Sequence, residues 1–176
     1  MRMTQVSSDE IVLAVTRATH EVFSMMLGLP LEAGQPHEES VNKPSVDGVV
    51  ALVGVAGRWT GSGRISCSSQ FAAKLAGALL STDFAAVNED VLDAVAEVSN
   101  MIIGNVKTHF EQTLGPLGLS IPTVVFGRNY QTRCTGVRHW TVVPFTCEGD
   151  SLEVCFFLVQ SMTQANSMSR PELARA

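Results

Sequence analysis

Residues 88–116, NEDVLDAVAEVSNMIIGNVKTHFEQTLGP, decide how the rest of the chain is read. Asn88 is an N-cap residue, and Glu89 and Asp90 follow it in the first turn, where negative charge complements the helix macrodipole. Gly115-Pro116 stops the helix after Leu114. At 1.5 Å per residue this predicts a helix of roughly 40 Å. Advancing about 100° per residue gathers Val91, Val95, Val98, Ile102 and Val106 into one sector roughly 80° wide, which must face a core. Asp93, Glu97, Asn100, Gly104, Lys107 and Glu111 fall almost directly opposite, toward solvent or a partner.

Outward from this helix, an earlier one is predicted from Ser8 to Leu27, with Ile11, Val15, Ala18, Val22, Met25 and Met26 in phase and Gly28 then Pro30 ending it. Leu29 to Pro44 is polar and reads as an irregular or edge strand followed by a loop. Gly48–Ala56 and Arg58–Cys67 form a predicted hairpin turning near Gly57, and Ser68 or Ser69 caps a shorter helix ending near Ser81. Ser120–Phe126, Val137–Thr146 and Leu152–Gln160 are strand candidates, the last two joined at Glu148-Gly149-Asp150. The expectation is an α/β domain of α+β character: a sheet of about six strands, two long helices and a shorter one. A single domain is expected over residues 1–160, with 161–176 as a flexible tail.

Composition narrows the function. The 176 residues suit one domain, and 45% hydrophobic against 16% charged residues provides enough apolar surface to fold. A net charge of −5 disfavours recognition of a phosphate backbone, so nucleic acid is not an expected partner. No apolar run approaches a membrane span and the N-terminal residues do not resemble a signal peptide, so a cytoplasmic protein without a membrane partner is expected. Cys67, Cys134, Cys147 and Cys155 contain no CxxC pair and read as reduced, mostly buried thiols. His20, His37, His109 and His139 lack metal-ligand spacing, so no metal site is expected. Gly57-Arg-Trp-Thr-Gly61-Ser-Gly63 is glycine-rich, but no P-loop lysine and serine follow it, and turn or bulge glycines explain it better.

By periodicity alone, the polar face of the long helix is an ordinary solvated surface. Asn100 and Gly104 argue otherwise, because both are poor choices for an exposed helix interior, glycine costing ~1 kcal/mol against alanine. Glu97 and Asn100 are i and i+3 neighbours. A carboxamide can hold a water by its oxygen while its NH2 bonds a phosphoryl oxygen, and in-line phosphoryl transfer asks for little beyond such positioning and charge stabilisation. A neighbouring carboxylate can capture a lysine from a partner.

Asp93, Glu97 and Asn100, followed after twenty-one intervening residues by Pro122, match the signature of the CheC, CheX and FliY family of chemotaxis phosphatases. Glu21-Val-Phe-Ser-Met-Met-Leu-Gly28, Gly57-Arg-Trp-Thr-Gly61 and Pro122-Thr-Val-Val-Phe-Gly127 extend the resemblance. CheC-like members carry the signature on two helices, whereas here the first helix has Ser24 where asparagine is needed and Arg17 at the acidic position. The chain therefore resembles the one-site, CheX-like branch. The resemblance implies a CheC-like fold, a possible homodimer, and dephosphorylation of a phosphorylated CheY-type response-regulator receiver. It further implies that Asn100 orients the attacking water and that Glu97 engages the receiver's lysine. Gly104 and Lys107 are expected to contact the partner, Asp93 to contact it or to position the helix, and Pro122 to fix the start of the next strand. No cofactor is expected on this chain, the Mg2+ arriving with the receiver. The alternative is a noncatalytic receiver-binding or assembly module of the same fold.

Overall fold

A computed structural model describes residues 5–40, 46–131 and 139–161. In chain order its elements are α1 (Ser8–Val22), a π-helical turn (Phe23–Leu27), β1 (Glu32–Ala33), β2 (His37–Ser40), β3 (Val46–Gly57), β4 (Trp59–Cys67), α2 (Ser69–Leu80), α3 (Glu89–Leu114), β5 (Leu117–Leu119), β6 (Thr123–Tyr130), β7 (His139–Cys147) and β8 (Asp150–Gln160). The helix starts follow from side-chain caps. Ser7, Ser68 and Asn88 accept the backbone N–H of Glu10, Phe71 and Val91, satisfying donors that a helix cannot pair internally. Gly28 supplies the left-handed residue that closes the π-helical turn.

The strands form one antiparallel sheet in the order β1-β7-β8-β4-β3-β5, with β2 also paired to β7 and β6 to β3. Alternating side chains of the central strands, such as Val53, Ile65, Val143 and Phe156, share one buried cluster with Ile11 and Val15 of α1, Leu75 of α2 and Val95 and Ile102 of α3. Both α1 and α2 pack on α3. The long helix is thereby held between its neighbours and the sheet, and only one sector of it stays open.

Gly63 of β4 shows why the glycine-rich stretch exists. A Cβ there would collide with Ile103 Cδ1 and come within 2.5 Å of its Cγ1, so α3 seats Ile103 on bare backbone. Trp140, Val142, Cys155 and Phe157 form a second cluster on the other sheet face. Buried Arg64 belongs to it, pairing with Glu39 at 2.7 Å and lying 5.3 Å over the Trp140 ring. Cys67 and Cys147 are buried free thiols, and burial pushes Cys67 up to about 12. Cys134 lies outside the described residues.

The antiparallel pairing throughout the sheet bears out the expected α+β character. Two expectations change. The sheet has eight strands rather than about six, because the polar segment after α1 contributes two short edge strands and β5 precedes β6. Ser161, assigned to the tail, is still tied to the β3–β4 turn through its N–H to Arg58 O and its hydroxyl to Gly57 O, both at 2.9 Å. Residues 162–176 and the start of the predicted strand at Val137 lie outside the described residues. The β7–β8 turn has Glu148 and Gly149 both at positive φ, 51° and 90°, the backbone of a two-residue hairpin.

Candidate functional site

Burial of Val91, Val95, Val98, Ile102 and Val106 sets the rotation of α3, and the opposite sector emerges as expected. Asp93 and Glu97 are exposed, while Asn100 and Gly104 are half-buried. Among the described residues no hydrogen bond or ion pair engages the side chains of Asp93, Glu97 or Asn100. Three polar groups on successive turns of one rigid helix are thus presented with their bonding capacity unspent.

Lys107, expected to contact the partner, is bound within its own chain. Its ammonium bonds Glu111 Oε2 at 2.7 Å and Leu117 O at 3.3 Å, and Glu111 Oε1 accepts the Leu117 N–H at 2.8 Å. The pair clamps the β5 backbone to the last turns of α3. The hydrogen bond from Lys107, then that from Leu117, holds the Glu111 carboxyl below the usual carboxylate range. The i,i+4 spacing of Lys107 and Glu111 was visible in the sequence, but the bonds to Leu117 were not, since Leu117 reaches them only after the chain turns at Gly115.

That clamp lays β5 and the start of β6 along one flank of the face. A Cβ on Gly104 would stand 3.7 Å from Leu119 Cδ1, so the Gly104 notch is flanked by Leu119 without being filled. Ser120 then fixes the chain to β3: its N–H donates to Gly54 O at 2.9 Å and its Oγ accepts the Gly54 N–H at 2.8 Å. Pro122 immediately precedes β6, where the family resemblance puts a strand start. Between them Ile121 is 88% exposed, the most exposed large apolar residue described. It was overlooked in the sequence because it follows no apolar period.

On α1, Arg17 and Glu21 are exposed, and Ser24 turns its hydroxyl back onto Glu21 O at 3.2 Å. A hydroxyl satisfied by its own helix offers no equivalent of the Asn100 carboxamide. Two clefts lie away from the α3 face. One of about 920 Å3 is bordered by α2, Phe84, Phe126 and Arg128, and one of about 320 Å3 lies between Arg17 and Glu21 of α1 and His109 of α3. Neither contains Asp93, Glu97 or Asn100. Among the described residues no three His, Cys, Asp or Glu side chains are grouped to hold a metal ion, and no helix is long and apolar enough to cross a membrane.

Residues 49–146, from β3 into β7 and including all of α3, match the family model of the chemotaxis phosphatase CheX. The chain belongs to the CheX family. The CheY-P phosphatase CheX of Thermotoga maritima is 29% identical over 129 residues, covering 72% of this chain and 82% of that protein. The crystal structure of the chemotaxis protein CheX from Desulfovibrio desulfuricans superposes with a TM-score of 0.74 at 28% identity, over 85% of this chain and 99% of that one. A chain of the CheX–CheY–BeF3–Mg2+ complex from Borrelia burgdorferi shares the fold, with a TM-score of 0.69 at 24% identity over 89% of this chain and 99% of its own. These CheX-family structures bear out the CheC-like architecture anticipated from the α3 signature.

Proposed function

We propose that this CheX-family protein hydrolyses the phosphoaspartate of a CheY-type receiver domain. The observation that carries the reading is the open face of α3, where Glu97 and Asn100 stand one turn apart with no side-chain partner among the described residues. The CheY-P phosphatase activity of the Thermotoga maritima relative and the CheX–CheY complex from Borrelia burgdorferi support it. Asn100 holds a water through its carbonyl oxygen and aims it in line at phosphorus. A bond forms from the water oxygen to phosphorus as the bond to the acyl oxygen breaks, leaving the receiver's aspartate and inorganic phosphate. Glu97 anchors the receiver by accepting its lysine, and Asp93 adds negative charge one turn earlier. In this reading the Mg2+ that would balance phosphoryl charge arrives with the receiver, and a receiver substrate goes with the expected cytoplasmic location.

The reading includes a homodimer, supported by β6, which among the described residues pairs with β3 alone and so offers its other edge to a second copy. Light scattering measures that mass directly.

Phosphate release from a panel of phosphorylated receivers tests the chemistry. Asn100→Ala is expected to cost ~10²-fold or more in rate with the melting temperature unchanged. Glu97→Lys is expected to weaken binding of a BeF3-loaded receiver roughly tenfold. Full turnover by Asn100→Ala would refute the water-orienting role. Binding by the unaltered chain without any acceleration would make it the noncatalytic receiver-binding module instead.

A further inference from the structure

We infer that Ile121 is a preformed apolar anchor for the receiver, seated beside Asn100 and setting how tightly the substrate docks. The inference rests on the phosphatase reading and adds a residue to it. Leu117 bonds Lys107 and Glu111, and Leu119 flanks Gly104, so the β5 segment climbs α3 in the antiparallel sense. After β5 ends at Leu119 opposite Val55, β6 resumes at Thr123 opposite Leu52, so Ser120 and Ile121 carry the chain on in the same direction; two extended residues advance at most ~6.6 Å, and four helix residues from Gly104 back to Asn100 span ~6 Å. Ile121 is therefore level with Asn100, on the flank of the same face.

Its backbone is fixed from both sides. Ser120 is bonded twice to Gly54 and donates its hydroxyl to Ile121 O at 3.0 Å. Pro122 confines the residue before it to extended conformations, and β-branching narrows the side-chain rotamers. An isoleucine held this firmly loses little further freedom when covered, as suits a binding hot spot. The occupant is the receiver because the knob is continuous with the Glu97 and Asn100 face. Ile121 and the carboxylates of Asp93 and Glu97 together suit a surface that pairs a lysine with an apolar patch.

Ile121→Ser and Ile121→Leu are compared with the unaltered chain in three measurements: phosphate release, titration with a BeF3-loaded receiver, and light scattering. At 88% exposure neither substitution disturbs folding, which thermal melts verify. The expected result is a tenfold or greater rise in KM and Kd for Ile121→Ser, an unchanged kcat, and recovery by Ile121→Leu. Unchanged KM and Kd for Ile121→Ser, while the unaltered chain binds and turns over, overturn the anchor and leave the phosphatase reading intact. Loss of a dimer on Ile121→Ser with receiver binding unaffected assigns the residue to a second copy of the chain and also overturns it. If the unaltered chain neither binds nor dephosphorylates any receiver in the panel, the phosphatase reading fails and the anchor with it.

Discussion

Replacing Gly104 by alanine separates the stability of α3 from its use as a docking surface. Glycine in a helix interior costs ~1 kcal/mol relative to alanine. Gly104 lies within the regular helix of Glu89–Leu114, and the added Cβ would meet only Leu119 Cδ1, 3.7 Å away, an ordinary van der Waals contact. Nothing in the folded state opposes the gain. Gly104→Ala is therefore expected to stabilise the domain by ~1 kcal/mol and raise its melting temperature by ~2–4 °C.

The same methyl group fills the notch one turn from Asn100. A receiver whose backbone approaches α3 there is pushed outward, and misplacing a reacting group by ~1 Å costs ~10²-fold in rate. The assay pairs thermal unfolding, followed by circular dichroism, with phosphate release from a phosphorylated receiver. The expected outcome is a more stable protein that is a markedly poorer phosphatase. A lower melting temperature would refute the packing argument. Higher stability with undiminished activity would show that the notch takes no part in docking, and that Gly104 answers to some other constraint.

The Glu111 clamp predicts a pH signature. Its folded pKa is depressed, first by Lys107 and then by the Leu117 N–H, so its contribution is fully present above the unfolded value of ~4.3 and disappears as pH falls through the lower folded value. Thermal melts of Glu111→Gln should run below the unaltered chain by a constant margin at neutral pH, with the gap closing in acid; a gap that widens in acid contradicts the clamp. Gly63→Ala should lower stability by ~1–3 kcal/mol, because Ile103 is fully buried and has no room to yield to the new methyl. Chemical denaturation measures this, and the paired Gly63→Ala/Ile103→Val variant should recover part of the loss.

What could be read in the sequence divides along a physical line. Asn88, Ser68 and Gly28 act on backbone groups within a few residues of themselves, so their chemistry marked element ends that the structure reproduces. The face of α3 was equally legible, because helical period alone places Glu97, Asn100 and Gly104 opposite Val95, Val98 and Ile102. β1 and β5 have two and three residues, too few for any alternation to register, and they exist because β7 and β3 offer them unpaired backbone. The surroundings of Lys107 and Ile121 were not legible for a related reason. Both lie beside the candidate site, yet the contacts of each depend on where the chain goes after Gly115. Lys107 is held by Glu111 and by a carbonyl ten residues away, whereas Ser120 and Pro122 fix the backbone of Ile121. A local motif thus identifies groups suited to chemistry, and the neighbouring strand decides which of them remain available to a partner. By that criterion the proposed docking surface would centre on Asn100, with Ile121 on its flank and the Gly104 notch one turn further along, while Lys107 is bound to its own fold.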